Sequence, residues 1–389
     1  MGRTPNRLPN YLRTEDITNW EMPTTYMIYK VNSMYVAVNG KTGIEEYRDS
    51  NFTDLFTDVL DGIPTGAGGG ARVHIRAGAY YMDSQIITDN TIIGLVLTGD
   101  AATFDTEGTV IIANANMTSM IYNRIDFTFM EHIYWRGDDK ADYCFEMGGT
   151  DNVTRHCSFA TAKLANLRVR ANNEWVDNCW FEVGYQTGLE QVETGDSIIS
   201  NNIFYNNAYR DIQLVGAAAS TTPRSIRILG NRFQTSDNGI WFYPKGGTEQ
   251  DIIISHNIFR GIGQTASGAA IHDNAIYLAE TCNHILIANN ICNGDYGGTK
   301  YTNDFVEFAG GGSYTGCVLD NNIVSNINGS IVAGAANATQ LVQNNSSTNV
   351  GIPGAAGQWA TGGYEGLIVH DSNADKVYVY VDGAWEILN

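Results

Sequence analysis

One short motif returns six times in the middle of the chain and constrains the fold more than any other feature. It reads Asp177-Asn178-Cys179-Trp180-Phe181, Asn201-Asn202-Ile203-Phe204, Gly230-Asn231-Arg232-Phe233, His256-Asn257-Ile258-Phe259, Asn289-Asn290-Ile291-Cys292 and Asn321-Asn322-Ile323-Val324. Taking the second Asn as the repeating residue places it at 178, 202, 231, 257, 290 and 322, at intervals of 24, 29, 26, 33 and 32. Self-similarity at such a period marks a stacked architecture, in which each unit buries its apolar face only against its neighbours. Weaker copies flank the series at His156-Cys157-Ser158-Phe159 and Asn344-Asn345.

Two further apolar runs precede each copy. The nearer ones are Ile198-Ile199, Ile226-Arg227-Ile228, Ile252-Ile253-Ile254 and Ile285-Leu286-Ile287. The farther ones begin at Leu167, Leu189, Ile212, Ile240, Ile276 and Val306. All are short, rich in β-branched residues and bounded by Gly, Asn, Asp or Thr, which is the signature of strands. Three short strands per unit of variable length predict an all-β chain wound as a right-handed parallel β-helix. The Asn column then serves a sharp bend, because Asn tolerates the left-handed backbone. Coils stack ~4.8 Å apart, so successive amides can bond up the column. Aromatics two residues on (Trp180, Phe204, Phe233, Phe259) predict an internal stack. Unequal intervals place the extra residues in loops, the longest within Gly261–Asn274 and Gly294–Asn303, and loops on a rigid scaffold are where binding concentrates.

Composition excludes several alternatives. Charged residues are 17% of the 389, below the usual ~25%, and 42 are Gly. The chain is too apolar for disorder. Its net charge of −19 argues against a nucleic-acid partner, which demands a basic footprint. No apolar run is long enough to cross a bilayer as a helix, so no membrane insertion is expected. The first residues, Met1 to Pro9, lack the apolar core of a signal peptide. This leaves an extracellular protein that starts after its leader, or a virion component released by lysis. The six Cys form no CxxC pair, so they read as buried thiols and not as a zinc site.

The repeat resembles the right-handed parallel β-helix of the pectate-lyase-like superfamily, over roughly residues 50–348. The start of the helix adds to the likeness. Residues Phe52 to Leu60 read as a short amphipathic capping helix, followed by a Gly-rich turn from Gly66 to Gly70. Arg72-Val73-His74-Ile75-Arg76-Ala77-Gly78-Ala79-Tyr80 then resembles the superfamily's opening strand, which typically reads "VxIPAGxY"; here Arg76 replaces the Pro. Ile92 to Gly99 matches its opening coil. The resemblance implies a carbohydrate-active or phage-tailspike-like protein. The motifs of polygalacturonases and the Arg-rich signature of calcium pectate lyases are absent.

Three regions follow. Residues 1–50 form an N-terminal arm and small β-hairpin module, with strands at Tyr26–Tyr29 and Met34–Val38 and a turn at Asn39-Gly40. Residues 51–350 form the β-helix. Residues 351–389 are a Gly/Ala linker and a β module with a turn at Asp382-Gly383. This last module resembles the small modules at the ends of phage tail fibres. It reads as a cap on the final coil's edge, with a homotrimer as the alternative.

Aligning the farther runs by their first inward residue puts Arg168, Glu190, Gln213, Trp241, Tyr277 and Glu307 in one outward column. Arg170 and Tyr243 fall beside it, with Arg210, Asp211, Lys245, His272, Asp273, Glu280 and Asp304 at the strand ends. Exposed aromatics suit sugar rings, with Trp241, Arg168, Arg170 and Arg210 as substrate-binding residues. Hydrolysis needs two carboxyl groups ~5–9.5 Å apart; Glu190 with Asp211, or Asp273 with Glu307, are the candidates. β-Elimination on a uronate needs a base, a cation and an acid; Tyr243 or Tyr277 with His272, Lys245 or Arg210 supply them, the cations lowering the phenol pKa. No cofactor or metal is expected, although Asp138, Asp139 and Asp142 offer oxygens for Ca²⁺.

The leading expectation is a β-helix that binds and cleaves an extracellular polysaccharide, as a lyase or a glycoside hydrolase. The alternatives are a non-catalytic spike that recognises a cell-surface glycan, and a structural rod. The acidic chain repels polyanions, so either the substrate is near neutral or the groove is more basic than the whole.

Overall fold

The computed structural model describes residues 24–65, 70–103, 107–192, 195–216, 224–244, 249–263, 273–279, 282–309, 314–334, 341–343, 346–347, 368–371, 376–381 and 384–388. Short strands recur in the order A, B, C, and each joins a different long sheet. The coils of sheet A run from Ala71–Ile75 to Leu341–Gln343. Sheet B runs from Gly78–Met82 to Ser346–Ser347, and sheet C from Ile86–Ile87 to Val332–Gly334. From one coil to the next every pairing in these three sheets is parallel, so the chain is a three-sided parallel β-helix whose core runs down its axis.

The core follows the predicted strand faces. Sheet A stacks Ile199, Ile228, Ile254 and Ile287 in register. Sheet C does the same with Leu167, Leu189, Ile212, Ile240, Ile276 and Val306. All ten side chains are buried. Sheet B supplies an aromatic column, with Phe159, Phe181, Phe204, Phe233 and Phe259 at centroid spacings of 5.2, 4.8, 5.1 and 4.7 Å and nearly parallel rings.

The turn between sheets A and B corrects the predicted column by one residue at its first copy. Trp180 pairs with Ile203 and Phe181 with Phe204, so Cys179, and not Asn178, aligns with Asn202. Trp180 therefore lies outside the core stack, and Phe181 takes its place. The amide ladder itself is as expected. The backbone N–H groups of Cys179, Asn202, Asn231, Asn257 and Asn290 donate to the side-chain oxygen of the next Asn up, at 2.8–3.0 Å. Each Asn amide also donates to a sheet-A carbonyl of the preceding coil, as Asn257 Nδ2 does to Ile228 O at 2.9 Å. The left-handed backbone belongs to the residue before each ladder Asn. His132, His156, Asn178, Asn201, Gly230, His256, Asn289 and Asn321 all have φ between 49° and 66°. The bend and the ladder are thus adjacent columns, and His256 has a structural place in the first.

The capping helix α1 spans Phe52–Asp61, with the Asn51 side chain accepting from Thr53 N. It sets Phe52 against Tyr35 and Tyr80 at the mouth of the core. Strands Tyr26–Val31, Met34–Asn39 and Glu45–Asp49 extend sheet A, the first lying parallel to Ala71–Ile75. Arg76 donates its backbone N–H to Ile28 O at 2.8 Å. A Pro at 76 would lack that donor, which accounts for the departure from the superfamily pattern. At the other end Ile368–Asp371, Lys376–Val381 and Ala384–Leu388 form an antiparallel three-stranded sheet. The Asp382-Gly383 turn and the 351–363 linker lie outside the described residues. All six cysteines are free and buried, as the sequence led us to expect.

Candidate functional site

Sheet C brings the predicted outward column together in register. Glu146, Arg168, Glu190, Gln213, Trp241, Tyr277 and Glu307 succeed one another on consecutive coils. Their side chains engage each other along the stack. Arg168 Nε lies 3.0 Å from Glu190 and its Nη1 3.6 Å from Glu146, with its guanidinium over the Tyr143 ring. Arg170 Nη1 reaches Glu146 at 3.1 Å. Arg210 donates to Gln213 Oε1 at 2.8 Å and lies 4.4 Å over the Trp241 ring. Trp241 meets Tyr277 at a centroid distance of 4.3 Å.

This arrangement differs from an open aromatic platform. Trp241 is 6% exposed and Tyr277 8%, because one face of Trp241 is taken by Arg210 and its ring packs on Tyr277. Tyr243 is the accessible aromatic of the set, at 42%. Nor is the Tyr277 phenol acidified: burial, and then the Glu307 charge, raise its pKa. Burial and the Glu307 charge therefore both oppose the elimination chemistry expected of a phenolate base at 277.

The carboxylates also rearrange. Asp211 is fully buried inside the turn between sheets B and C, where Asn207 Nδ2 donates to it at 2.8 Å and Ser236 Oγ donates to its other oxygen. Burial pushes its pKa up to about 8. It does not share a face with Glu190, so that pair is not formed. Asp273 and Glu307 fall in different columns: Asp273 aligns with Asn303, which donates its backbone N–H to Asp273 O, while Glu307 accepts from Asn274 Nδ2. Lys245, His272 and Glu280 lie outside the described residues. Asp138 is held by Arg136 through both oxygens at 2.6 and 2.8 Å, which occupies the main oxygen donor of the expected Ca²⁺ group.

One residue the sequence reading passed over joins the site. Asp237 immediately precedes the sheet-C strand Asn238–Pro244, one coil below Asp273, since the Ile240–Ile276 register continued three residues back pairs the two. It is 1% exposed, and neither carboxyl oxygen has a hydrogen-bond partner among the described residues. Burial and then the neighbouring Asp273 charge push its pKa up to about 7, against a smaller lowering by Arg210. A signal for it exists in the chain. Asp237-Asn238-Gly239-Ile240-Trp241 and Asp273-Asn274-Ala275-Ile276-Tyr277 are two copies of one pentad. The turn Asn of each is fixed by the stack, as Asn238 Oδ1 accepts from Asn274 N and Asn274 Oδ1 from Asp304 N, so the Asp before it is carried to the same corner in each coil.

Comparisons with known proteins agree with this architecture. Residues 108–292 match the family model described as right handed beta helix region. No curated protein matches the sequence. Among solved structures the chain is similar to PfbA, a surface adhesin of Streptococcus pneumoniae, at 13% identity and a TM-score of 0.55, over 87% of this chain and 96% of that one. It is similar to the N-terminal fragment of bacteriophage Phi29 gene product 12, at 10% identity and a TM-score of 0.54, over 76% and 64%. A tailspike protein of E. coli bacteriophage HK620, in complex with a pentasaccharide, gives 12% identity and a TM-score of 0.54, over 77% and 63%. This chain thus spans a little under two thirds of the two phage proteins. At these identities the likeness is one of fold, and at that level the resemblance read from the sequence is borne out.

Proposed function

We propose that this right-handed parallel β-helix binds an extracellular polysaccharide along the outer face of sheet C and hydrolyses it with Asp237 and Asp273. The observation that carries the reading is the buried Asp237 carboxyl, free of hydrogen bonds among the described residues, in register with Asp273 and beside Arg210. A carboxyl pushed up to about 7 still holds its proton in near-neutral solution and can give it to a leaving glycosidic oxygen. Asp273, one coil away at ~4.8 Å along the stack, is then the nucleophile or the base that activates water. A one-coil backbone offset, before side-chain reach, lets two carboxyl groups fall within the ~5–9.5 Å over which paired acids hydrolyse a glycosidic bond. Glu307, which accepts from Asn274 Nδ2, borders the pair, and Tyr243 offers a ring face to sugar C–H groups.

The charge pattern supports a neutral glycan. Arg168 and Arg170 are engaged by Glu146 and Glu190, and Arg210 is turned to Gln213 and Trp241. Among the described residues Arg168 and Arg170 are therefore paired within the face, and a polyanionic chain would meet carboxylates there. A virion or cell-surface setting fits a protein of this kind, in keeping with the phage and adhesin relatives in fold.

The test is incubation with a panel of neutral and acidic polysaccharides, following reducing ends and the absorbance of unsaturated uronates. Reducing ends should rise without uronate absorbance, on neutral substrates. Asp237→Asn and Asp273→Asn should each lower the rate ~10²–10⁴-fold while glycan binding persists. Uronate absorbance would replace this reading with lyase chemistry. Binding without any cleavage would replace it with a recognition spike.

A further inference from the structure

Away from sheet C, the corner between sheets A and B carries a cluster that no part of the proposed function uses. Glu131 ends one sheet-A strand and aligns with Arg155 of the next coil. The residues that follow, His132 and His156, occupy the left-handed column, and their rings stack at 5.2 Å and 7°. His132 Nε2 lies 3.4 Å and His156 Nδ1 3.0 Å from the same Glu131 oxygen. One ligand atom from each of the three residues falls within 4.8 Å of the others. Both imidazoles are more than two-fifths exposed, so the open side faces solvent.

We infer that Glu131, His132 and His156 form a binding site for a divalent transition ion of the zinc class, clipping two consecutive coils together. The argument is geometric and chemical. Zinc takes imidazole nitrogen and carboxylate oxygen at ~2.0–2.1 Å in tetrahedral geometry, which sets neighbouring ligand atoms about 3.3 Å apart. The two nitrogen-to-oxygen distances straddle that value. Two imidazoles exclude the hard ions Ca²⁺ and Mg²⁺, which take oxygen, and suit Zn²⁺, Ni²⁺ or Cu²⁺. Solvent would fill the remaining position. One group opposes the ion: Arg155 Nε is 2.8 Å from the same Glu131 oxygen, with its guanidinium 4.7 Å over the Phe129 ring. Occupancy requires the carboxylate to be shared with Arg155 or released by it, which gives the proposal an unusual handle.

Zinc titration by calorimetry on the full chain at fixed neutral pH tests this, with Co²⁺ absorption as a readout of imidazole coordination. One equivalent should bind. His132→Asn and His156→Asn should each weaken it at least tenfold. These variants keep the turn, because Asn holds the same left-handed position at 178, 201, 289 and 321, and circular dichroism verifies it. Arg155→Gln should tighten binding several-fold, a result that no merely structural ion pair would give. Absence of binding at millimolar zinc, or equal binding by the His132→Asn/His156→Asn double variant, would overturn the site.

Discussion

Single residues in this fold are chosen chiefly by the corners. Each coil turns three times, and the turn after sheet B also uses a left-handed residue, as at Thr161, Asn206, Thr235, Gly261 and Asn326. Val183 occupies that position with φ 45° and is 41% exposed. A β-branched side chain is strained there, and little packing compensates it. Val183→Asn should therefore raise stability by ~1 kcal/mol, seen as a higher urea midpoint with an unchanged slope; the reverse change, Asn206→Val, should lower it by a similar amount. The candidate site shows the same logic at work on function. Its strand column was legible, because inward and outward residues alternate and the register is fixed by the core. The strand-end residues were not, since burial at a corner depends on loops whose course alternation does not encode. Asp211 looked like a surface acid and is a core one, while Asp237 escaped notice although its pentad repeats.

At the level of strands and turns, the repeat was visible because a stacked fold punishes variation at few positions. The ladder Asn satisfies a backbone donor and a carbonyl of the coil below it, both inside the protein, where an unmet polar group is costly. That is why Asn recurs while the neighbouring corner residue drifts among Asn, Gly and His, any of which can take positive φ. The same fact explains the one-residue slip at Cys179: its Asn178 belongs to the corner column, and two adjacent columns both favour Asn. Asn257→Ala should cost ~2–4 kcal/mol, since it strips the partner from the Asn231 N–H and Asn231 Nδ2, and leaves Ile228 O and Asn290 Oδ1 short of a donor. Chemical denaturation measures the loss directly. His256→Asn, one residue away in the corner column, should be nearly neutral in the same experiment, which separates the two columns.

The molecule as a whole combines a large negative charge with acids sealed in its interior, and the two act on stability in the same direction. Asp211 has a folded pKa pushed up to about 8 by burial, and burial likewise lifts Glu174, whose Oε1 accepts from Asn152 Nδ2. A carboxyl raised on folding binds its proton more tightly in the native state than in the unfolded one. Its contribution is fully present below the unfolded value near 4 and is lost as pH climbs to the folded value. For Asp211 the span is about four units, at most ~5 kcal/mol. Glu131 and Asp100 work the other way: their neighbouring cations and hydrogen-bond donors hold them below the ordinary range, so they lose stability only under acid. Because stacked coils add their local stabilities along one dimension, these terms sum into one curve. The melting temperature should therefore peak in mildly acidic solution and fall between about pH 4 and 8, the window of the raised acids. Asp211→Asn removes one of them without altering the fold of the corner, where the amide can still accept from Asn207 or Ser236. It should flatten the alkaline limb, gaining most over the parent at pH 9 and little at pH 4. A melting profile that fell equally in parent and variant would place the alkaline loss on surface repulsion among the excess carboxylates, which added salt would then relieve.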